Sequence, residues 1–387
     1  MPKIYFDYAA TTPLDPRVLK AMKPYFNKEF GNTMSLHSVG LRAKEALENS
    51  RTKVEKFIKA ESNEIVFNGS ATESINFVLK GVAFANKERG KHIITTTIEH
   101  HAVLETCEWL GRQGFDITYL PVDKYGLVDL NDLENAIRKD TVLVSVMHAN
   151  NEIGTIEPIE KIGKICADHD IYFHTDAVQT FGKLPIDVNK MNISLLSLSA
   201  HKFYGPKGVG ATFIRKGTSV QPLLHGGGHE FGLRSSTINV PGIVGLAKAV
   251  EFRKKEMNSE AKKLTKLRDK LIKGVLKIEN SHLNGHPRQR LSNNTNFWFS
   301  FIEGEALVIE LDSKGIYGST GSACSSNDLE ASHVLLAIGL KHEEAHGSLR
   351  LSLGKYTKSS DITYAIETLP KVVSRLRKIS PFKGRWA

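Results

Sequence analysis

Between residues 60 and 214, short apolar runs alternate with stretches in which apolar side chains recur every three or four positions. The runs at 64–67, 91–96, 116–120, 141–147, 171–174, 195–199 and 210–214 read as strands. The 3.6-residue period marks helices at 73–84, 102–110, 130–137 and 159–168. The run at 141–147 is apolar almost throughout, as expected of a strand covered on both faces. Strand–helix alternation of this kind predicts an α/β fold with a mostly parallel central sheet covered by helices. Ligands in such sheets sit at the carboxyl ends of the strands.

The texture changes after a long helical pattern at 243–278, which follows the turn Asn239-Val240-Pro241-Gly242. Residues 294–301 and 348–352 are strand-like; 306–311, 332–338 and 360–378 are helical, with Pro370 as a local irregularity. Residues 256–387 therefore read as a smaller α+β domain.

A length of 387 residues suits two domains and needs no covalent staples. No apolar run is long enough to span a bilayer, and the first residues show no targeting core, so the expectation is a cytoplasmic protein with no membrane partner. Three cysteines, none in a CxxC pair, argue against a disulfide framework and a structural zinc site; no metal is expected. Cys107 and Cys166 fall in helical patterns and read as small core hydrophobes. The net charge of +10 favours acidic partners, and much of it lies between Arg253 and Lys277. There Leu264, Leu267, Leu271 and Val275 recur at helical spacing, so the lysines form the solvated face of an amphipathic helix. That face has no interleaved aromatics, and no direct nucleic-acid contact is expected.

Five short segments place polar groups at strand ends. Lys202 lies in Ser199-Ala200-His201-Lys202-Phe203-Tyr204-Gly205-Pro206, between a strand and a stiff Gly-Pro loop. A fixed, partly desolvated amine titrates down and attacks carbonyls, as the aldehyde of pyridoxal phosphate requires; taken alone, the stretch equally suits a solvated surface lysine. Gly69-Ser70-Ala71-Thr72-Glu73 opens a helix and fits either a phosphate at its N-terminus or a plain capping box. Glu99-His100-His101 could stack an imidazole on a heteroaromatic ring or could cap a helix. Asn150-Asn151 reads as turn chemistry or as amides over a ligand. Asp176 needs a charge partner at that depth, and a pyridinium N–H supplies one. One further strand–helix–strand unit is expected between Asp176 and Lys202.

Taken in this order, the segments resemble the cysteine desulfurases of the NifS/IscS type, in the fold type I pyridoxal-phosphate enzymes of the class V aminotransferase family. The resemblance runs from Tyr5-Phe6-Asp7-Tyr8-Ala9-Ala10-Thr11-Thr12-Pro13 to Ser348-Leu349-Arg350-Leu351-Ser352-Leu353-Gly354. His148-Ala149-Asn150-Asn151-Glu152-Ile153-Gly154, His225-Gly226-Gly227-Gly228-His229-Glu230 and Gly318-Ser319-Thr320-Gly321-Ser322-Ala323-Cys324 are its most specific parts, with the Lys202 stretch. It implies residues 1–255 as a large cofactor domain, with residues 1–14 packing on the small domain, and a catalytic Cys324 loop on residues 256–387. It implies pyridoxal 5'-phosphate as cofactor and L-cysteine as substrate, converted to L-alanine.

The resemblance also assigns roles. Lys202 would hold the cofactor as a Schiff base and then remove the α-proton, Asp176 would pair with the ring nitrogen, and His100 would stack on the ring and relay protons. Gln179 would reach the phenolic oxygen. Ala71, Thr72, Ser199 and His201 would hold the phosphate, with Thr237 reaching across a homodimer. Arg350, assisted by Asn151, would bind the substrate carboxylate. Cys324, in a small polar loop suited to an exposed thiolate, would accept the sulfur as a persulfide. Iron–sulfur scaffold proteins or tRNA-thiolation relays would receive it, and Phe382 and Trp386 on the basic tail could anchor such a partner. Selenocysteine lyase, aminotransferase and non-catalytic scaffold activities are the rival readings.

Overall fold

The computed structural model describes residues 2–321 and 331–380. Seven strands form the main sheet, in the spatial order Ile65–Asn68, Gly210–Ile214, Leu195–Ser199, Tyr172–Asp176, Thr141–Ser145, His92–Thr96 and Asp116–Leu120. All neighbours run parallel except around Gly210–Ile214, which is antiparallel to both of its partners. Alternate residues of these strands feed opposite faces. Ile94, Val144 and Leu196 join one apolar cluster; Ile93, Leu143 and Leu195 join another. Both faces are buried, which is why the runs read as apolar and not as alternating.

A smaller antiparallel sheet orders Ser348–Ser352, Asn294–Phe299 and Ser281–Leu283. Its core includes Phe297, Leu349 and Leu351, together with Ile4 and Phe6 from the start of the chain. Ile4–Tyr5 pairs in parallel with Ile316–Tyr317, and Asp7 bridges to Ser352. The chain then crosses to the large sheet: Thr12 N–H donates to the His201 carbonyl at 2.9 Å, and Tyr204 N–H donates to Thr12 Oγ1 at 2.8 Å. Residues 5–12 are thus a strap tied to both cores.

One helix, Val240–Val275, serves both cores as well. Ile243, Leu246 and Val250 pack in the large core; Leu264, Leu267, Leu271 and Val275 pack in the small one. It starts three residues before its apolar period does. Asn239 caps the Gly242 N–H, and Pro241 falls in the first turn, where its missing N–H costs nothing. Lysines 254, 255, 262, 263, 266, 270, 273 and 277 face solvent, but two arginines of the same run do not. Arg253 donates to the Gly182 carbonyl and pairs with Glu260, and Arg268 donates to the Arg290 and Leu291 carbonyls. Pro370 is accommodated on the exposed side of Ser359–Ile379.

One connection differs from expectation. Between Tyr172–Asp176 and Leu195–Ser199 the chain makes successive turns with no helix. Asp176 Oδ1 accepts from Val178 N–H, Gly182 sits at φ +74°, and Pro185 follows, each of which interrupts a helix. Among the described residues no helix is long and apolar enough to cross a membrane.

Phe6 is fully buried in the small core. Phe6→Ala should lower the unfolding free energy by roughly 3–5 kcal/mol in a urea titration, because a ring-sized cavity is left behind. A change under about 1 kcal/mol would mean that the strap does not hold the small core.

Candidate functional site

The carboxyl ends of the central strands open on a cavity of about 230 Å³. Ser70, Ala71, Thr72, His100, Asn151, Asp176, Gln179, Ser199, His201, Lys202 and Arg350 all line it. Eleven residues spread over 281 positions of sequence therefore face one space; ten of them were given individual roles, and Ser70 belongs to the segment expected to meet a phosphate. Thr237 is exposed and does not line the cavity of this single chain. Cys324, Phe382 and Trp386 lie outside the described residues.

Lys202 ends a single turn, Ala200–Lys202, directly after its strand. Its Nζ donates to the Ala9 and Ala10 carbonyls of the strap, both at 2.8 Å. The Gln179 Nε2 donates to the same Ala9 carbonyl at 3.0 Å, and Lys183 Nζ donates to Gln179 Oε1 at 3.2 Å. The amide of Gln179 is thereby fixed in orientation. Burial, aided by the nearby Lys202 charge, pulls the Lys183 ammonium down to about 7.

Asp176 is buried at the end of its strand. Burial raises its carboxyl to about 6, against the lowering effects of the Val178 N–H and the Lys202 charge. His100 caps the helix His101–Arg112, with Nδ1 accepting from Ala102 N–H at 3.0 Å. That bond assigns the remaining ring proton to Nε2. Burial first, then the Lys202 charge, depresses this imidazole to about 4, so it is neutral near pH 7.

At the opposite end, Ser70 caps the helix Ala71–Ala85 by accepting from Glu73 N–H. Glu73 reaches back to Gly69 N–H at 2.8 Å and pairs with Arg234 at 2.7 Å. Ser70 therefore caps the helix, but Glu73 closes on Gly69 N–H and not on that of the cap residue, so the expected capping box is only half formed; the first-turn residues Ala71 and Thr72 line the cavity at the positive end of the helix dipole. His201 Nδ1 sits 3.0 Å from Thr11 Oγ1.

Arg350 is buried and reaches the cavity from the small sheet. Its Nη2 donates to Asp7 Oδ1 at 2.9 Å and its Nη1 to the Asn151 carbonyl at 3.1 Å. Asn150 builds the turn that presents Asn151: its Oδ1 accepts from the Glu152 and Ile153 amides. The chain leading toward Cys324 is pinned to the same arginine, since Arg350 N–H donates to the Ser319 carbonyl at 2.6 Å. Gly321, three residues before Cys324, lines the cavity.

The donor set fits a planar anionic aldehyde. A helix N-terminus with flanking hydroxyl groups suits a phosphate, a buried carboxylate suits a pyridinium, and an amine stands ready for the carbonyl. The strap residues Asp7, Ala9 and Ala10, and Lys183 behind Gln179, were not assigned from sequence. The strap returns across some 190 to 340 positions, a distance over which no spacing rule operates.

Comparison with known proteins places the chain in a family. A family model described as aminotransferase class-V matches residues 4–364. A cysteine desulfurase IscS of Methanosarcina thermophila is 56% identical over 378 residues, 98% of this chain and 94% of the relative. That of Dictyoglomus turgidum is 54% identical over 385 residues, 99% and 98% of the two chains. A solved NifS-like protein superposes with a TM-score of 0.91 at 43% identity, covering 97% of this chain and 100% of its own. A structure described as SspA in complex with cysteine gives 0.81 at 41% identity, covering 92% and 100%.

Asp176 generates a stability prediction. The folded chain keeps its proton up to about pH 6, whereas the unfolded carboxyl loses it near 3.8. This group's contribution to stability therefore falls as pH rises through that window and stays low above it. In cofactor-free protein, Asp176→Asn should raise stability by on the order of 2–3 kcal/mol at pH 8, with the gain vanishing toward pH 4. Thermal unfolding at the two pH values checks it; an equal effect at both would contradict the assignment.

Proposed function

From the premise that this chain belongs to the class-V aminotransferase family, within which it is a pyridoxal 5'-phosphate-dependent cysteine desulfurase, we propose how its own residues perform the reaction. The observation that carries the assignment is the meeting of Lys202, Asp176, His100 and Arg350 around one cavity whose wall includes Gly321. Pyridoxal phosphate, when bound, supplies an aldehyde that captures amines and a protonated ring that takes up an electron pair.

Asp176 would pair with the ring nitrogen and keep it protonated, and that charge pair would offset the cost of burying the carboxylate. Ala71, Thr72, Ser199 and His201 would hold the phosphate, and Gln179 would donate toward the phenolic oxygen. L-cysteine enters with its α-carboxylate on Arg350 and Asn151, which sets its α-hydrogen before the Lys202 amine. Lys202 would hold the cofactor aldehyde through its Nζ and, once free, take that proton there; the Ala9 and Ala10 carbonyls are ready acceptors for the resulting ammonium. His100, its Nδ1 held by Ala102 N–H, would face the ring and move protons at Nε2. Its basicity rises once Lys202 no longer adds positive charge beside it.

The Cys324 thiolate then forms an S–S bond to the substrate sulfur as the Cβ–S bond breaks. The electron pair passes to Cβ, which takes up a proton, and Lys202 returns the α-proton to Cα. Alanine leaves and the persulfide stays on Cys324. Cys107 and Cys166 are unsuited to this role, because burial pushes both thiols up to about 12. The persulfide is handed to an iron–sulfur scaffold or another sulfur-acceptor protein in the cytoplasm, and the exposed Thr237 completes the phosphate site of a second copy in a homodimer. Residues 1–255 and 256–387 act as the large and small domains.

Purified protein should show the visible absorbance of bound cofactor and should release alanine from L-cysteine. Lys202→Ala should lose both, with alanine formation down by at least about 10²-fold. Cys324→Ser should keep the absorbance and lose desulfuration. Sustained alanine and sulfide release by Cys324→Ser would overturn the persulfide assignment.

A further inference from the structure

The arginine assigned to the substrate carboxylate already carries a carboxylate of its own. Arg350 has five N–H donors. One on Nη2 goes to Asp7 Oδ1 and one on Nη1 to the Asn151 carbonyl, while the buried Nε has no partner among the described residues. A long arginine normally loses rotamer freedom when it binds a ligand. Here two tethers on fixed oxygens have removed most of that freedom beforehand.

Asp7 can act as such a tether because its backbone is held on three sides. Phe6 N–H donates to the Tyr317 carbonyl at 2.8 Å, Ser352 N–H donates to the Phe6 carbonyl at 2.7 Å, and the Tyr5 hydroxyl donates to the Asp7 carbonyl at 2.9 Å. Phe6 itself is fully buried in the small core. The strap thus runs beside the strand that carries Arg350, and Asp7 bridges to Ser352, two residues further along that strand. The Asp7 side chain is 21% exposed, so its charge is partly solvated and needs no second counter-ion.

We propose that Asp7 is a positioning residue for substrate recognition: by holding one edge of the Arg350 guanidinium, it presents the remaining N–H groups as a fixed fork to the α-carboxylate of L-cysteine. This rests on the reading of Arg350 as the carboxylate site. Asp7 does two opposing things. Its hydrogen bond orients the guanidinium, and its negative charge repels the incoming carboxylate. Asp7→Asn keeps an acceptor oxygen and removes the charge, whereas Asp7→Ala removes both. The orienting role is therefore isolated in the difference between the two variants.

The experiment is calorimetric binding of 3-mercaptopropionate, which has the carboxylate and thiol of the substrate but no amine, to the holoenzyme and its variants. KM and kcat for L-cysteine are measured in parallel, with thermal unfolding of each variant as a check on folding. Asp7→Ala should bind at least about 10-fold more weakly than Asp7→Asn, and its KM should rise by a similar factor with kcat changed less than about threefold, as expected when ground-state and transition-state binding are lost together. Asp7→Asn should stay within about threefold of the parent in affinity. Should Asp7→Ala not fold, Asp7→Glu replaces it: the charge is kept but the oxygen is displaced by one methylene, and affinity should again fall. Equal affinities for Asp7→Ala and Asp7→Asn would overturn the proposal while leaving the Arg350 reading intact. Unchanged affinity in Arg350→Ala would overturn the Arg350 reading itself, and the Asp7 proposal with it.

Discussion

Two cationic side chains have to work in one small cavity without repelling each other out of position. Lys202 arrives from the large sheet and Arg350 from the small one, and both are partly or fully withdrawn from water, where like charges are poorly screened. The strap of residues 5–12 meets this requirement. It offers two carbonyl dipoles to the lysine and one carboxylate to the arginine. It can do so only because its own ends are fixed, by Ile4 and Phe6 in the small core and by Thr12 against His201 and Tyr204 of the large one. The site is therefore complete only when both cores are in contact. The same logic explains why the helix Val240–Val275 contributes apolar side chains to each.

The remaining electrostatics of the cavity follow from burial. Burial raises the Asp176 carboxyl to about 6 and lowers the His100 imidazole to about 4, so near pH 7 the imidazole is neutral and the carboxylate is held at a cost. On the proposed roles, a protonated ring would be the charge partner that the buried Asp176 lacks, and loss of the Lys202 charge would remove one cause of the low His100 basicity. Each group is thus set to respond to the cofactor and not to solvent. Burial also holds the two core cysteines, Cys107 and Cys166, as thiols.

Much of this was legible in the sequence where one physical rule acts locally. The apolar strands announced a sheet buried on both faces, and the polar residues just after them marked the ligand end of that sheet. Ser70 and Glu73 showed a helix start because capping needs particular side chains at fixed offsets. The connection between Asp176 and Lys202 was misjudged as containing a helix, since a rule about average topology outweighed the local signals of Gly182 and Pro185. Asp7, Ala9 and Ala10 were unreadable as site groups for another reason. Their contribution depends on tertiary return of the chain, and in two of the three it is made by backbone carbonyls, which carry no side-chain signature at all.

The central claim is that the cavity built around Lys202 delivers the sulfur of L-cysteine to Cys324. The direct measurement is peptide mass analysis after the holoenzyme is mixed with one equivalent of L-cysteine in the absence of reductant. The account predicts one added sulfur atom on the peptide containing Cys324, matched by one equivalent of alanine. Alanine formed without that added sulfur, or sulfur found on Cys107 or Cys166, would contradict it.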